Sequence, residues 1–305
     1  MTSRASLNRI CAARLCAAAS HAGRSDGLAK RRLRRISADP SNLDTANQET
    51  QVKLGLVTYN LAKDWDLPRI IHSCEATGFR GVELRTEHAH GVEASLDVAA
   101  RQAVRDLFSA SSVELVGLGT VFEFHSLDQA ELRRNVQGTK EYIRLASDIG
   151  ASGVKVRPNG SQEASGVPLD RTLEQIGRCL RECGELASDL GVEIRLEMHG
   201  DVADARHIRK IMEVADHPGV GVCWNSNPID VKGGSVRADF DLVRPWVRLV
   251  HISELWGAGY PYRELFTLLR DSGYTGYCCA EIPASPEPER LMRYYRALFE
   301  ALSRA

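Results

Sequence analysis

Beyond residue 50 the chain alternates short, β-branched runs with longer amphipathic stretches, and it does so about eight times. Candidate strands are Val52–Tyr59, Gly81–Arg85, Val113–Gly119, Gly153–Arg157, Val192–His199, Val220–Asn225, Val247–Ser253 and Tyr277–Ile282. Between them, sets such as Leu132, Val136, Ile143, Ala146 and Ile149, or Leu173, Ile176, Leu180 and Leu186, fall near helical spacing. Strands that alternate with helices imply a parallel sheet. The 255 residues available match the ~250 typical of eight βα units closed on themselves. No G-x-G-x-x-G follows the first strand, as an open dinucleotide-binding sheet would want. The expected fold class is α/β, a single-domain (β/α)8 TIM barrel over residues 51–305. Glycines in Thr77-Gly78, Ile149-Gly150, Leu190-Gly191 and Ser272-Gly273 are placed to end the helix before the next strand.

The first 50 residues are different material. They are rich in Arg, Ala and Ser and carry nine Lys or Arg against four Asp or Glu, so that of the overall −1 formal charge the remainder holds −6. Nothing there has a period that would bury a face, and the segment reads as a disordered N-terminal extension. A transit-type leader has the same Arg-rich, Ser-rich, acid-poor composition. Arg14 interrupts the only apolar run, which argues against a secretory signal. The expected location is cytoplasmic, or an organelle if the leader is real. An acidic body argues against nucleic acid as a partner, and no apolar run is long enough to span a membrane. The eight cysteines include no C-x-x-C pair and read as thiols in a reducing compartment.

Strand parity then points to chemistry. In Val192-Glu193-Ile194-Arg195-Leu196-Glu197-Met198-His199, apolar and polar residues alternate without a break, so Glu193, Arg195, Glu197 and His199 face the barrel interior. The same test turns Glu83, Arg85, Lys155 and Arg157 inward. Barrel active sites are built at the C-terminal ends of the strands. There Glu197, Asn225, His251 and Glu281, from strands five to eight, can meet at one point. Two carboxylates, an imidazole and an amide oxygen suit one divalent metal ion, Mn2+, Mg2+, Co2+ or Zn2+.

The carriers Gly81-Val82-Glu83-Leu84-Arg85, Leu196-Glu197-Met198-His199-Gly200, Gly221-Val222-Cys223-Trp224-Asn225, Val250-His251-Ile252-Ser253 and Ala280-Glu281-Ile282 give the chain a resemblance to the xylose-isomerase-like barrel superfamily, which includes sugar phosphate isomerases and epimerases. The resemblance covers roughly Val52 to Ser303. It implies metal ligands on strands five to eight, mapping to Glu197, Asn225, His251 and Glu281. Asn225 departs from the family pattern, which has Asp there. A second reading makes His199 the further ligand and leaves Asn225 to substrate.

If the resemblance holds, the reaction removes a proton beside a carbonyl through an enediolate, with Glu197 and Glu281 as the catalytic carboxylates. Glu83, Arg85, His125, Lys155, Arg157 and His199 are the expected substrate-binding residues. Lys155 and Arg157 are also expected to form an interior ion-pair network with Glu83 and Glu193. His72, His88, His90, His207 and His217 are expected at the surface, and Trp224, Trp256 and Tyr260 in packing or the pocket wall. The expected function is that of a metal-dependent isomerase or epimerase on a small sugar, sugar phosphate or inositol derivative. A lyase or deglycosylating enzyme on oxidised sugars, or a non-catalytic sugar-binding barrel, would use the same site. Clustered-zinc phosphodiester hydrolysis would need more His and Asp ligands and a basic rim. The expected partner is a small sugar-like molecule, with neither nucleic acid nor membrane, and assembly as a homo-oligomer stays open.

Overall fold

The computed structural model describes residues 52–304. The extension expected over residues 1–50, with Cys11 and Cys16, lies outside them. Eight parallel strands, β1 (Lys53–Val57), β2 (Gly81–Arg85), β3 (Glu114–Glu123), β4 (Gly153–Arg157), β5 (Glu193–Glu197), β6 (Val220–Asn225), β7 (Val247–Ile252) and β8 (Tyr277–Ala280), close into a barrel in sequence order. Around them run α1 (Leu67–Thr77), α2 (Val98–Ser109), α3 (Gln129–Ile149), α4 (Leu169–Asp189), α5 (Ala205–Ala215), α6 (Arg237–Val243), α7 (Tyr262–Asp271) and α8 (Pro288–Ser303). No helix among the described residues is long and apolar enough to cross a membrane.

Strand parity divides the apolar residues into two bodies. Val82, Leu84, Val154, Val156, Ile194, Leu196, Met198, Val222 and Val250 point outward and join the large core beneath the helices. Inside the barrel a second, small cluster holds Val57, Val116, Cys223, Leu249, Tyr277 and Cys279. Cys179 and Cys183 are both buried on α4, and all six described cysteines are free thiols.

Helix ends follow local chemistry. Gly78 and Gly150 take left-handed φ of 79° and 80° and close α1 and α3, a conformation that glycine adopts without a Cβ penalty. At the opposite ends, which face the C-terminal mouth, α1, α2, α3 and α5 are capped by the carboxylates of Asp66, Asp97, Asp128 and Asp204. Each accepts a first-turn backbone N–H that the helix itself leaves unbonded.

The sheet departs from the sequence expectation at β3, which runs four residues past Gly119 to Glu123. Register shifts against β2 and β4 accompany the extension. They carry the strand up to the mouth with Glu123 at its end, where a regular ladder would have stopped.

The closed end of the barrel is built around the charged side chain of Arg195. Arg195 donates to Val116 O at 2.8 Å, to Ser152 Oγ at 3.0 Å and to Glu193 Oε2 at 3.0 Å. It lies across bare backbone: a Cβ at Gly153 would stand 2.5 Å from its guanidinium carbon. Gly153→Ala is therefore expected to overpack this tier and lower stability by about 1–3 kcal/mol. Adding Arg195→Met to Gly153→Ala should cost less than the sum of the two single changes, because they contend for the same space. Urea unfolding of the four proteins measures both effects.

Candidate functional site

Four charged side chains meet inside the mouth, just above the small interior cluster. Glu197 at the end of β5 accepts from Lys155 Nζ of β4 at 2.6 Å through Oε2. Its Oε1 stands 3.4 Å from His251 Nδ1, and Glu83 Oε1 of β2 stands 3.3 Å from His251 Nε2. Neither contact to the imidazole has hydrogen-bond geometry, so both ring nitrogens of His251 and both oxygens of Glu83 are buried without a partner. Glu83, Lys155, Glu197 and His251 are all at most 5% exposed.

Parity and register explain the meeting. Glu197 pairs with Cys223 across β5 and β6, Asn225 with His251 across β6 and β7, and His251 with Cys279 across β7 and β8. Glu281 follows β8 by one residue, its N–H bonded to Ile252 O at 2.8 Å. Ligand atoms of Glu197, His251 and Glu281 lie within 4.8 Å of one another. Gly119 leaves room for the Glu83 carboxylate, since a Cβ there would come within 2.8 Å of Oε1.

Electrostatics follow from the pairing. Burial pushes the Glu197 carboxyl up, but the Lys155 ammonium and His251 outweigh it and hold it well below the usual carboxylate range. Burial likewise acts against Glu83, and His251 followed by Lys155 reverses it, so this carboxyl is lowered as well. Burial disfavours charge on Lys155, while Glu197 and Glu83 restore it and raise its pKa. Glu83, Glu197 and Glu281 bring three negative charges, set against Lys155 and, without an ion, the His251 imidazolium that lowers both buried carboxyls; an imidazole that binds an ion is neutral. A divalent ion among Glu197, His251 and Glu281 would balance the set and give the orphaned imidazole a partner, so the donors fit such an ion. Asn225, the register partner of His251 at the end of β6, brings no charge.

A second polar tier lies toward β3 and β4. Glu123 Oε1 accepts from Arg157 Nη2 at 2.8 Å and from Asn159 Nδ2 at 2.7 Å, and His125 Nδ1 stands 3.6 Å from Glu123 Oε2. His199 Nδ1 is hydrogen-bonded to Asn159 Oδ1 at 2.7 Å, and His199 is not among the residues whose ligand atoms converge with Glu197, His251 and Glu281. Asn159, at φ 55°, bridges to Gly200. Arg85 donates through Nη1 to Thr86 Oγ1 at 2.9 Å and passes over Gly119 beside Glu83.

Several expectations change. The network of Lys155 and Arg157 with Glu83 and Glu193 does not form: Lys155 bonds Glu197, and Arg157 bonds Glu123. Glu193 lies at the closed end with Arg195 and Arg248. Inward parity was right for all of them, but the pairing depends on height along the strands, which the alternation leaves open. His90 is buried, not exposed, with Nε2 on Arg85 O at 2.8 Å and Nδ1 accepting from Val92 N–H. Trp224 is buried and donates to Tyr260 Oη at 3.0 Å, whereas Trp256 stands 78% exposed in the loop after β7. Glu123 and Asn159 were missed. Thr120-Val121-Phe122-Glu123 does not alternate, so the residue order carried no signal for the first, and Asn159, in a left-handed loop, had none either.

Comparison with known proteins bears on the family and the fold. The profile of the xylose isomerase-like TIM barrel matches residues 71–302, and the chain belongs to that family. Solved structures share the fold. The apo form of a 3-keto-D-glucoside 4-epimerase from E. coli is 18% identical, with TM-score 0.65 over 84% of this chain and 100% of that one. An L-ribulose 3-epimerase is 15% identical, with TM-score 0.69 over 83% and 95%. An IolI protein with a zinc atom bound is 15% identical, with TM-score 0.67 over 83% and 98%. No curated protein sequence matches the chain.

The loop after β6 holds a buried carboxyl. Asp230 is buried and accepts the Asn227 N–H, with its other oxygen unpartnered. Burial pushes its carboxyl up to about 7. The folded state therefore holds a proton that the unfolded chain releases near pH 4. This contribution is fully present below the unfolded pKa and is lost as pH rises to about 7. Asp230→Asn should flatten the fall in stability between about pH 4 and 7, as read by thermal unfolding across that range; an unchanged slope would reject the assignment.

Proposed function

We propose that this protein is a divalent-metal-dependent isomerase or epimerase of a small keto-sugar, with Glu197, His251 and Glu281 holding the ion and Asn225 beside them. The observation that carries this reading is the convergence of those three side chains from β5, β7 and β8 within 4.8 Å, at the strand ends where barrel enzymes do their chemistry. The names of the structural neighbours, sugar epimerases among them, support it.

When bound, the ion would polarise a carbonyl and its adjacent hydroxyl, making the neighbouring C–H more acidic. The protein supplies the base. Among the described residues, no hydrogen bond or ion pair forms to the Glu281 carboxylate, whereas Glu197 is held by Lys155 at 2.6 Å. Glu281 is thus the stronger candidate to take the proton, and Glu197 the second carboxyl available to give one back. Lys155 fixes Glu197 and offsets one of the buried negative charges. Burial of Glu83, Glu197 and His251 keeps bulk water from the reacting atoms. Glu83, Arg85, His125, Lys155, Arg157 and His199 bind or orient the sugar, those of the second tier toward its far hydroxyls.

Proton exchange into keto-sugars in D2O tests the chemistry directly. Stripping metal with a chelator should abolish exchange, and re-addition of Mn2+ or Zn2+ should restore it. Glu281→Gln, read at saturating metal because it removes a charge from the ion's ligand set and should loosen binding by about tenfold or more, should slow exchange by about 10²–10⁴-fold. No exchange with any keto-sugar by metal-loaded, folded protein would reject the reading. Asn225→Asp should tighten metal binding by about tenfold or more, since it adds a charge beside the ion; metal titration measures it.

A further inference from the structure

A neutral imidazole gives a lone pair from one nitrogen and keeps a proton on the other. Which nitrogen does which is set by the hydrogen bond that the protonated one makes. At His251 the backbone is fixed, in register with Asn225 on β6 and Cys279 on β8, and its carbonyl accepts from Ser226 Oγ at 2.9 Å. The ring has no hydrogen-bond partner of its own, and the torsion that turns a histidine ring is broad and roughly two-fold. Its neighbours must therefore decide which nitrogen is offered.

Two carboxylates flank the ring. Glu197 Oε1 lies 3.4 Å from Nδ1 and Glu83 Oε1 lies 3.3 Å from Nε2, and all three side chains are at most 4% exposed. The two acids are not equivalent. Glu197 belongs to the set whose ligand atoms converge with those of His251 and Glu281, and Glu83 does not. Glu197 is bonded to Lys155 at 2.6 Å, whereas both oxygens of Glu83 lack a hydrogen-bond partner. Among the described residues, His251 is the one cationic group within ion-pair distance of Glu83. Glu83 enters from β2, in register with Val57 and Gly117, and its carboxylate uses the space left by Gly119, where a Cβ would stand 2.8 Å from Oε1. A carboxylate at this depth needs a donor, and Nε2–H is a small turn of the ring away.

We infer that Glu83 is the positioning residue of His251: it takes Nε2–H and leaves Nδ1, on the side of Glu197, to give its lone pair to the proposed ion. The inference rests on the metal reading above. A carboxylate behind a ligating histidine fixes the tautomer and the ring orientation and makes the ligating nitrogen more basic. Glu83 thus orients the sugar at one remove, through a ligand of the ion and not by touching the substrate. Its burial fits that task, since a side chain 1% exposed is shielded from the open mouth.

Two variants of equal charge and similar volume isolate the acceptor. Glu83→Gln keeps an oxygen for Nε2–H, and Glu83→Met has none. In zinc titrations of the full-length chain, Glu83→Met is expected to bind about 10–100-fold more weakly than the unaltered protein. Glu83→Gln should bind about 3–10-fold more tightly than Glu83→Met, the worth of one net hydrogen bond. Equal losses in the two, the effect of missing charge alone, would overturn the inference. The second readout is the ring itself, in protein labelled with 15N-histidine and with the His251 signals identified by their absence from His251→Gln. Long-range 1H–15N spectra of the zinc-loaded protein should show Nδ1 ligated and Nε2 protonated; ligation through Nε2 would reject the assignment, whether or not Glu83→Met folds. In the metal-free protein the Nε2 proton should resonate downfield, as one held by a carboxylate does, and Glu83→Met should move it upfield. Failure of the folded protein to bind any divalent ion would sink the functional reading. The metal-free spectrum would still decide this one, since a His251 without that downfield proton has no bond to Glu83.

Discussion

The contact on which the site depends is the Lys155–Glu197 pair, closed inside the barrel between His251 and Glu83. Isolated buried charges are costly, and removing one member of such a pair strands the other. The remaining geometry is a solution to that constraint. Glu197 can be buried because Lys155 reaches it from the adjacent strand, and Lys155 can be buried because two carboxylates share its field. The glycine at position 119 makes space for Glu83 in the same tier. Charge balance therefore fixes the rotamers that bring Glu197 toward His251 and Glu281, without any loop having to close.

Below this tier the barrel changes character. Arg195, Glu193 and Arg248 occupy the closed end, and the small apolar cluster around Leu249, Cys223 and Cys279 separates them from the mouth. The apolar layer insulates one charged group from the other, so each is neutralised locally. This division of labour suits a fold in which the C-terminal face carries chemistry and the opposite face carries stability.

Much of this was legible in the residue order. Strict alternation in β2, β4 and β5 fixed which side chains enter the barrel, because a side-chain period of two leaves no freedom once one face must be apolar. The eightfold rhythm fixed closure, and ordinal position placed Glu197, Asn225, His251 and Glu281 on neighbouring strands. What could not be read was height and partner. Lys155 and Arg157 share a face, yet one meets Glu197 and the other Glu123: the register shift between β3 and β4 sets Glu123 level with Arg157, whereas Lys155, level with Arg195, reaches two residues further along β5 to Glu197. His90 was misplaced for a related reason: its burial comes from a loop folding back onto Arg85, a long-range event with no periodic signature.

Lys155 also bears on the order of assembly. Because an ammonium already counters part of the interior negative charge, the polypeptide has a way to close its barrel before any metal arrives. On the proposed reading, ion capture can then follow folding, with the His251 ring nitrogens already free of hydrogen-bond partners to receive it. A chain built with three uncompensated acids at the same depth would have had to collect its ion while folding.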